Sequence, residues 1–577
     1  GNGNVTQLVY GDHSTTTTDA NGNVTVYRYD DQYRTTKIEY ANGSSEEKIY
    51  DTANNLAAVI DKNGNRTNYE YDGQGNLVKE IRFDGAEKTL SYNSENQLVE
   101  SVDFNGATTR YTYADKNLVS VENADGSTTA YDYDSLHRIV KQTDGNGNVT
   151  EYSYDGAWLS EMKNPNGGIN HYYYNVFGQL VTLVDALNQT TRFVYDDAGR
   201  KVQQQTADGA ITKFEFDAAG NTVAITDAND NKFTFEHDAN GNILKATDPY
   251  GNNTVYTYDG MNNRISETDP SGKTVTHTYD CFANVLTTTD ADGNTTTLAY
   301  NAAGKPIKIT DPNGNETLYE YDTRFDKISK VTNAVGGIQT ITYDTVGNGV
   351  STTAFDQTTA SYVYDSMQRV IKSTDASGLQ TTYTYDNNGN LLKAEDSTGR
   401  TTTYVYDSMN NVVSTTLPNG AVLSYEYDLL GRMVAAVDAL NGRTTYTYNA
   451  LSQLTSTTDA LGRSNSYEYD SIGNKLKYIA ANNGEMSYQY DKLGHVTKVT
   501  DALGNYASYT FDTSENMASF TDVYGNTSSY EYNGRNLITK IKDALDHTYS
   551  FTYDNNGNKV ETTAPDGTKT LMEYDGL

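Results

Sequence analysis

The side chains in this sequence whose types suit chemistry are its many carboxylates, seven histidines and one thiol. Paired carboxylates would serve acid–base work, and Asp-x-Asp-Gly loops would serve a hard cation. Asp290-Ala291-Asp292-Gly293-Asn294 and Asp311-Pro312-Asn313-Gly314-Asn315 come nearest to cation loops. Neither supplies a third oxygen ligand before the glycine or a closing Glu, and tight turns call for Asp and Asn at the same places. His13, His137, His171, His237, His277, His495 and His547 include no pair at metal-ligand spacing. Carboxylates occur in every segment, so no two of them stand out as an acid and a base. No Gly-x-Ser-x-Gly, phosphate-binding loop or dinucleotide fingerprint in a strand–helix context occurs. The expectation is a chain with no catalytic residue, no cofactor and no metal.

What positions these side chains is a repeat. Thr381-Thr382-Tyr383-Thr384-Tyr385 reads as a strand and runs into the turn Asp386-Asn387-Asn388-Gly389. A near copy follows at Thr402-Thr403-Tyr404-Val405-Tyr406-Asp407, and another at Leu423-Ser424-Tyr425-Glu426-Tyr427-Asp428 with Gly431 in its turn. The closing residue recurs from Asp30 to Asp575 in 27 units spaced by about 21 residues. A second turn, such as Ser397-Thr398-Gly399-Arg400, falls near mid-period. Each unit therefore holds two antiparallel strands, and the fold class is all-β: one long spiralling sheet of tandem hairpins.

Side chains alternate across a strand, so Tyr383 and Tyr385, Tyr404 and Tyr406, and Tyr425 and Tyr427 fall on one face. With Asp386, Gly389, Asp407, Asp428 and Gly431 they form the expected structural ladder, and His237 is read as a substituted rung. Burying one ring contributes about 2 kcal/mol, while ordering a unit costs about 30 kcal/mol. One unit alone is unstable, and stability must come from stacked neighbours.

The array is expected to be continuous over residues 27–577 and truncated at its C-terminal end, with residues 1–26 a degenerate start. The units ending at Asp134 and Asn175 are a residue short and the one ending at Asp344 is a residue long. The next, Thr345 to Asp365, loses its central Asp-x-x-Gly turn, so a bulge or a change of curvature is expected near residues 323–365. The chain opens Gly1-Asn2-Gly3-Asn4 without a signal peptide and stops inside a turn at Tyr574-Asp575-Gly576-Leu577, and so reads as a piece of a longer polypeptide.

By size alone, 577 residues would suggest several domains, but the period overrides that prior. Only 36% of residues are hydrophobic, yet 50 Tyr at fixed spacing are strand formers and not a solvated coil. The net charge of −33 opposes binding to nucleic acid or an anionic membrane. No run of about 18 apolar residues spans a bilayer. Cys281 is alone, so no intrachain disulfide forms.

These residues resemble the RHS/YD-repeat family, whose unit is similar to Tyr427-Asp428-Leu429-Leu430-Gly431-Arg432 followed by Val437-Asp438, Gly442 and Thr444-Thr445-Tyr446-Thr447-Tyr448-Asn449. The resemblance covers essentially the whole chain. It extends to bacterial polymorphic toxins, B and C components of toxin complexes, and teneurins. It implies a sheet wound into a hollow shell, which in bacterial toxins encloses a C-terminal toxic domain. The family's segment that cleaves off this domain has no counterpart in the sequence.

The resemblance therefore implies a non-catalytic scaffold, secreted or on a bacterial cell surface, whose partners are other segments of the same polypeptide, a toxin cargo among them. The alternative is an extracellular filament or adhesin that binds glycan or a protein receptor, or self-associates into fibres. About 54 strands make a ribbon ~260 Å wide. Such a sheet must curl, into a closed particle roughly 100 Å across or into an open coil.

Overall fold

The computed structural model describes residues 5–576, and the parts of the end-segment expectations that concern residues 1–4 and Leu577 lie outside it. Among the described residues there are 55 strands and no helix. Strands are numbered in chain order from β1 (Gln7–Gly11) to β55 (Lys569–Leu571), and each pairs antiparallel with the next. Thr, Tyr and Val dominate the strands because branched and aromatic side chains suit a pleated surface.

One unit shows the local logic. Strands β37 (Gln380–Tyr385) and β38 (Leu391–Asp396) pair Tyr383 with Ala394 and Thr384 with Lys393. Tyr385 then pairs with Leu391, which leaves Leu392 unmatched in a β-bulge. The next junction, from β38 to β39 (Thr401–Tyr406), has no such shift. The bulge expected near residues 323–365 is present, and it is one of a series: a bulge sits in each Tyr-Asp hairpin from the first full unit to the last. The repeated Tyr-x-Tyr-Asp packing demands it in each unit, so it marks no special place.

The irregular units keep the sheet intact by changing their turns. In the two short units Ala114 pairs with Asn117 and Asp155 with Trp158, across two-residue turns. Asp115 and Lys116 take φ of 47° and 70° there, as such a turn requires. The extra residue before Asp344 is absorbed in the turn Asp322 to Lys327. After Thr345 the Asp-x-x-Gly sequence is lost, but the turn itself forms on other residues. Ala354 N–H donates to Thr358 O, and Gln357 stands at φ 66° where other units place glycine.

The sheet is a single layer. Among the described residues the buried apolar ones are Ala58, Ala224 and Ala435, so no core is sandwiched between two sheets. Accessible surface reaches 31000 Å² for 63.5 kDa. A compact monomer of that mass would expose only about 20,000 Å².

The sheet closes on itself as a spiral. The turn after β33 (Ile338–Tyr343) contains Thr345, which meets Arg82 beyond β8 (Leu77–Ile81) and Asn105 beyond β10 (Leu98–Val102). A turn of the upper coil thus sits between two turns of the lower one, like a gear tooth. The mean offset is 24 strands, or 12 units per turn of the spiral. At ~4.8 Å per strand the circumference is about 115 Å and the wall-to-wall width roughly 37 Å. The ribbon therefore winds through more than two coils.

Candidate functional site

The functional part of this molecule is its wall, and the wall is built from two devices. The first is an aspartate at the start of each turn. Asp386 Oδ1 accepts from the N–H groups of Asn388 (2.9 Å) and Asn390 (2.8 Å), and Oδ2 accepts from Asn390 Nδ2 at 2.9 Å. Asp428 does the same with Leu430, Arg432 and the Arg432 Nε at 2.7 Å. Asp407 repeats it with Met409 and Asn411. The fourth position of the turn needs positive φ, which Gly389 (+87°) and Gly431 (+78°) supply without strain. In the Asp407 turn Asn410 adopts φ 63° instead.

The second device is the tyrosine at the end of each Tyr-x-Tyr strand. Tyr385 Oη donates to Val370 O at 2.7 Å, Tyr406 to Leu391 O at 2.9 Å and Tyr427 to Val412 O at 2.9 Å. Each reaches back 15 residues and ties its unit to the one before. The same bond recurs at either end of the array, at Tyr50 and Tyr553. Burial, with the aspartate of the preceding turn, raises the hydroxyl pKa of Tyr385, Tyr406 and Tyr427. The first tyrosines, Tyr383, Tyr404 and Tyr425, lie half-buried on the same face opposite Ala394, Thr415 and Ala436. His237 occupies a rung, pairs with Ile243 and keeps a buried Nδ1 without a hydrogen-bond partner.

Sequence reasoning overlooked two partners. The residue after a Tyr-Asp turn is most often Asn or Arg, whose side chain closes the ring with the aspartate. Where it is Arg, the guanidinium also lies over the aromatic ring of the next unit: Arg34 over Tyr50 at 4.5 Å, Arg138 over Tyr154 at 4.2 Å. The signal was visible as Asn or Arg recurring four residues after Asp.

The other is the seam between coils. The mid-unit turns of one coil face the Tyr-Asp turns of the next. Asn146 Nδ2 donates to Asp386 Oδ2 at 2.9 Å, and Asn388 Nδ2 returns to Asp144 Oδ2 at 2.7 Å. Asn313 and Asp554, Asn229 and Asp470, and Asn21 and Asp259 pair likewise at 2.8–2.9 Å. Arg369 reaches Asp125 at 2.9 Å, and Arg535 reaches Asp292 at 3.1 Å. Burial works against the charge of Asp386, but bonds from Asn390 and Asn146 outweigh it and hold the carboxyl below its ordinary value.

The two loops nearest to cation sites belong to this network. Asp290 Oδ1 accepts from the N–H groups of Asp292 and Asn294, and Asp311 accepts from Asn315 and Asn556. The histidines are dispersed: His495 stacks on Phe511 at 4.5 Å and bonds Asp491, while His137 bonds Asn117. Among the described residues no three His, Cys, Asp or Glu converge as a metal would need.

The family described as Teneurin YD-shell matches residues 83–232 and 308–461, more than half of the chain. This chain belongs to the YD-shell family. The RHS Repeat description matches five further stretches: 50–87, 216–252, 279–316, 490–527 and 532–569. No curated protein matches the sequence. Among solved structures, the YD-shell chain is similar to a Tc holotoxin pore from Photorhabdus luminescens, with a TM-score of 0.63 and 14% identity. That likeness covers 98% of this chain and 35% of the other. Crystal structures of TcdB2-TccC3-TEV and TcdB2-TccC3 match with TM-scores of 0.57 and 0.56, at 12% and 14% identity. They cover 96% and 97% of this chain and 40% and 39% of theirs. The chain thus spans well under half the length of these proteins. The shared feature is the fold, and the YD-shell chain is a shell-like structural scaffold.

Proposed function

We propose that this chain is a non-catalytic wall segment of a secreted or cell-surface protein, and that the wall encloses another segment of the same polypeptide, such as a toxic domain. The observation that carries the reading is the sealed seam: coils about 240–263 residues apart in sequence are joined by hydrogen bonds at turn after turn. A wall roughly 37 Å wide, less a side-chain layer of about 5 Å on each side, leaves a bore of roughly 25 Å. That bore admits an extended or loosely packed polypeptide. The ladder of Tyr383, Tyr385, Asp386, Gly389, Tyr404, Tyr406, Asp407, Tyr425, Tyr427, Asp428 and Gly431 has the role of holding the wall's curvature. Tc toxin structures with the same fold support the container reading.

Electron microscopy of the purified chain tests the scaffold, with a narrow hollow coil expected and a filled globule or flat sheet overturning it. Fusing a protease-sensitive segment after Leu577 tests enclosure. Protection of that segment in the intact particle supports the reading, and cleavage as fast as in free peptide overturns it.

A further inference from the structure

Two of the seven histidines stand apart from the rest. His13, His171, His495 and His547 lie 2.9–3.7 Å from a carboxylate, so a proton added there meets a counter-charge. Exposed His137 bonds Asn117. His237 and His277 instead take tyrosine slots of the ladder, with the single unit of Tyr256 and Tyr258 between theirs.

His237 closes β23 (Lys232–His237), and its Nδ1 is buried without a hydrogen-bond partner. Beside it on the ladder face stand Thr222 and Ile225 of β22 (Thr222–Thr226), Ile243 and Ala246 of β24 (Ile243–Thr247), and Phe235 of its own strand. None of these carries a charge. The aspartates of the flanking turns, Asp217 and Asp238, are bonded to Asn221 and Asn242. The ladder hydroxyl that ties each unit to the one before is missing at two successive rungs, Phe216 and His237. Phe511, by contrast, stands between Tyr490 and Tyr532, whose hydroxyls donate to Lys475 O and Met517 O at 2.8 Å.

His277 lies in β27 (Thr274–Tyr279), half-buried, with Nδ1 3.0 Å from the Thr288 hydroxyl of β28 (Val285–Thr289). No charged side chain reaches it from β28. From β26 (Arg264–Thr268) it is faced by Arg264 and Glu267, which pair with each other at 2.8 Å. Tyr279, with its ring 6.4 Å away, and Tyr256 and Tyr258 of β25 (Asn253–Tyr258) complete the titratable groups on that face. Burial, and then the Arg264 guanidinium, hold the His277 imidazole below the ordinary histidine range, and Glu267 opposes them only in part.

We propose that β23 to β28 form an acid-responsive weak point of the wall, which loosens as pH falls from about 7 to about 5 while the rest of the array stays shut. Each slot suits a neutral ring. An imidazolium at position 237 gains a buried donor without an acceptor, and one at position 277 meets Arg264. The stabilisation from neutral His277 is complete above the ordinary histidine value of about 6.5 and is lost as pH falls below it, because the opened chain takes up the proton first. The turn carboxylates titrate lower, so the two acid effects fall in separate windows. On the container reading, the weak point gives an enclosed segment a place and a condition of release.

The test is amide hydrogen exchange of the 577-residue chain at about pH 7 and about pH 5, corrected for the intrinsic rate. Protection of β23 to β28 is expected to fall at least about tenfold, and protection of the Asp386 turn and the His495 turn by less than about twofold. His237→Tyr/His277→Tyr installs the side chains used by most other units and is expected to abolish the loss. His277→Gln, which keeps a hydrogen-bonding side chain that takes up no proton, is expected to reduce it. The proposal is overturned if β23 to β28 stay as protected at pH 5 as at pH 7, if the whole array loosens in parallel, or if both variants respond like the unmodified chain. Unchanged protection of the Asp386 turn at pH 7 shows that the variants are folded. Exchange reads the wall alone, whereas protease protection of the segment fused after Leu577 reads enclosure, so either idea can fail without the other.

Discussion

Two stretches of mid-unit turns share one backbone and differ in their tips. Among the described residues, the turns from Asp19 to Asp311 lie against another coil and those from Ala354 to Ala564 do not. Asp144 and Asp501 make the same bonds to the third and fifth residues of their turns, and Gly147 (φ +86°) and Gly504 (φ +83°) the same bend. The tips are Asn146 in the first and Leu503 in the second; Asn146 is bonded across the seam, and Leu503 is 87% exposed. Tyr250 and Tyr524 make the same contrast. Tyr250 accepts a bond from Lys492 N–H at 3.0 Å and lies under its ammonium, whereas Tyr524 is bare. Turn geometry dictates the first, fourth and fifth residues, and the tip records only what lies against it.

The sharpest break of this comparison is a charge at a tip. Leu187→Asp is expected to destabilise its coil by about 3 kcal/mol, because a half-buried charge gains no partner. Leu440→Asp should stay within about 0.5 kcal/mol in the monomer. Thermal unfolding with local hydrogen exchange distinguishes the two, and equal effects would mean that the seam contributes nothing.

Glycines sharpen it next. A β-carbon on Gly145 would lie 2.5 Å from the Asn387 carbonyl of the next coil, at an ordinary φ. Gly145→Ala is expected to cost about 2 kcal/mol through the neighbouring coil. Gly399 has open space but φ +86°, so Gly399→Ala should cost about 1 kcal/mol through its own backbone. Exchange at the Asn387 amide should rise only in the first variant.

Arginines give a smaller contrast. Arg535 is mostly buried and bonds Asp292, Asn555 O and Asp554 O, so Arg535→Ala should cost about 2 kcal/mol. Arg463 pairs with Asp459 in solvent, and Arg463→Ala should leave the melting temperature unchanged.

The mildest effect is on pH. Asp386, Asp470 and Asp554 are held below the ordinary carboxylate value, against burial, by bonds that include one across the seam. Their contribution is present above the unfolded pKa and is lost as pH falls through the folded one, so stability should decline below about pH 4. The ladder hydroxyls are raised instead. Stability should therefore hold below the unfolded tyrosine value and fall above about pH 10. Asp386→Asn should flatten the acid limb more than a substitution at the free-edge Asp501. A pH series of melting temperatures checks both limbs.

Much of the ladder was legible because its partners are close in sequence. Asp428 bonds residues two and four places ahead, and Tyr427 reaches 15 back. A 21-residue period therefore contains nearly every contact of a unit. The bulge at each Tyr-x-Tyr was not legible, since Leu392 looks like any strand residue until Tyr385 takes Leu391 as its partner. The turn after Thr345 was not legible as Asp-x-x-Gly, because Gln357 adopts a backbone conformation usually signalled by glycine.

From the sequence alone came the period, the two strands of each unit, the turns and the ladder, all of them set by local sterics and near-neighbour hydrogen bonds. The coil was decided only by the tertiary structure. Twelve units per turn is the accumulated result of a small twist and bulge at each hairpin, and no single residue encodes a sum. Which turn meets which follows from that sum, so the pairing of Asn146 with Asp386, and the exposure of Leu503 beside the partial burial of Leu187, could appear only once the sheet had closed.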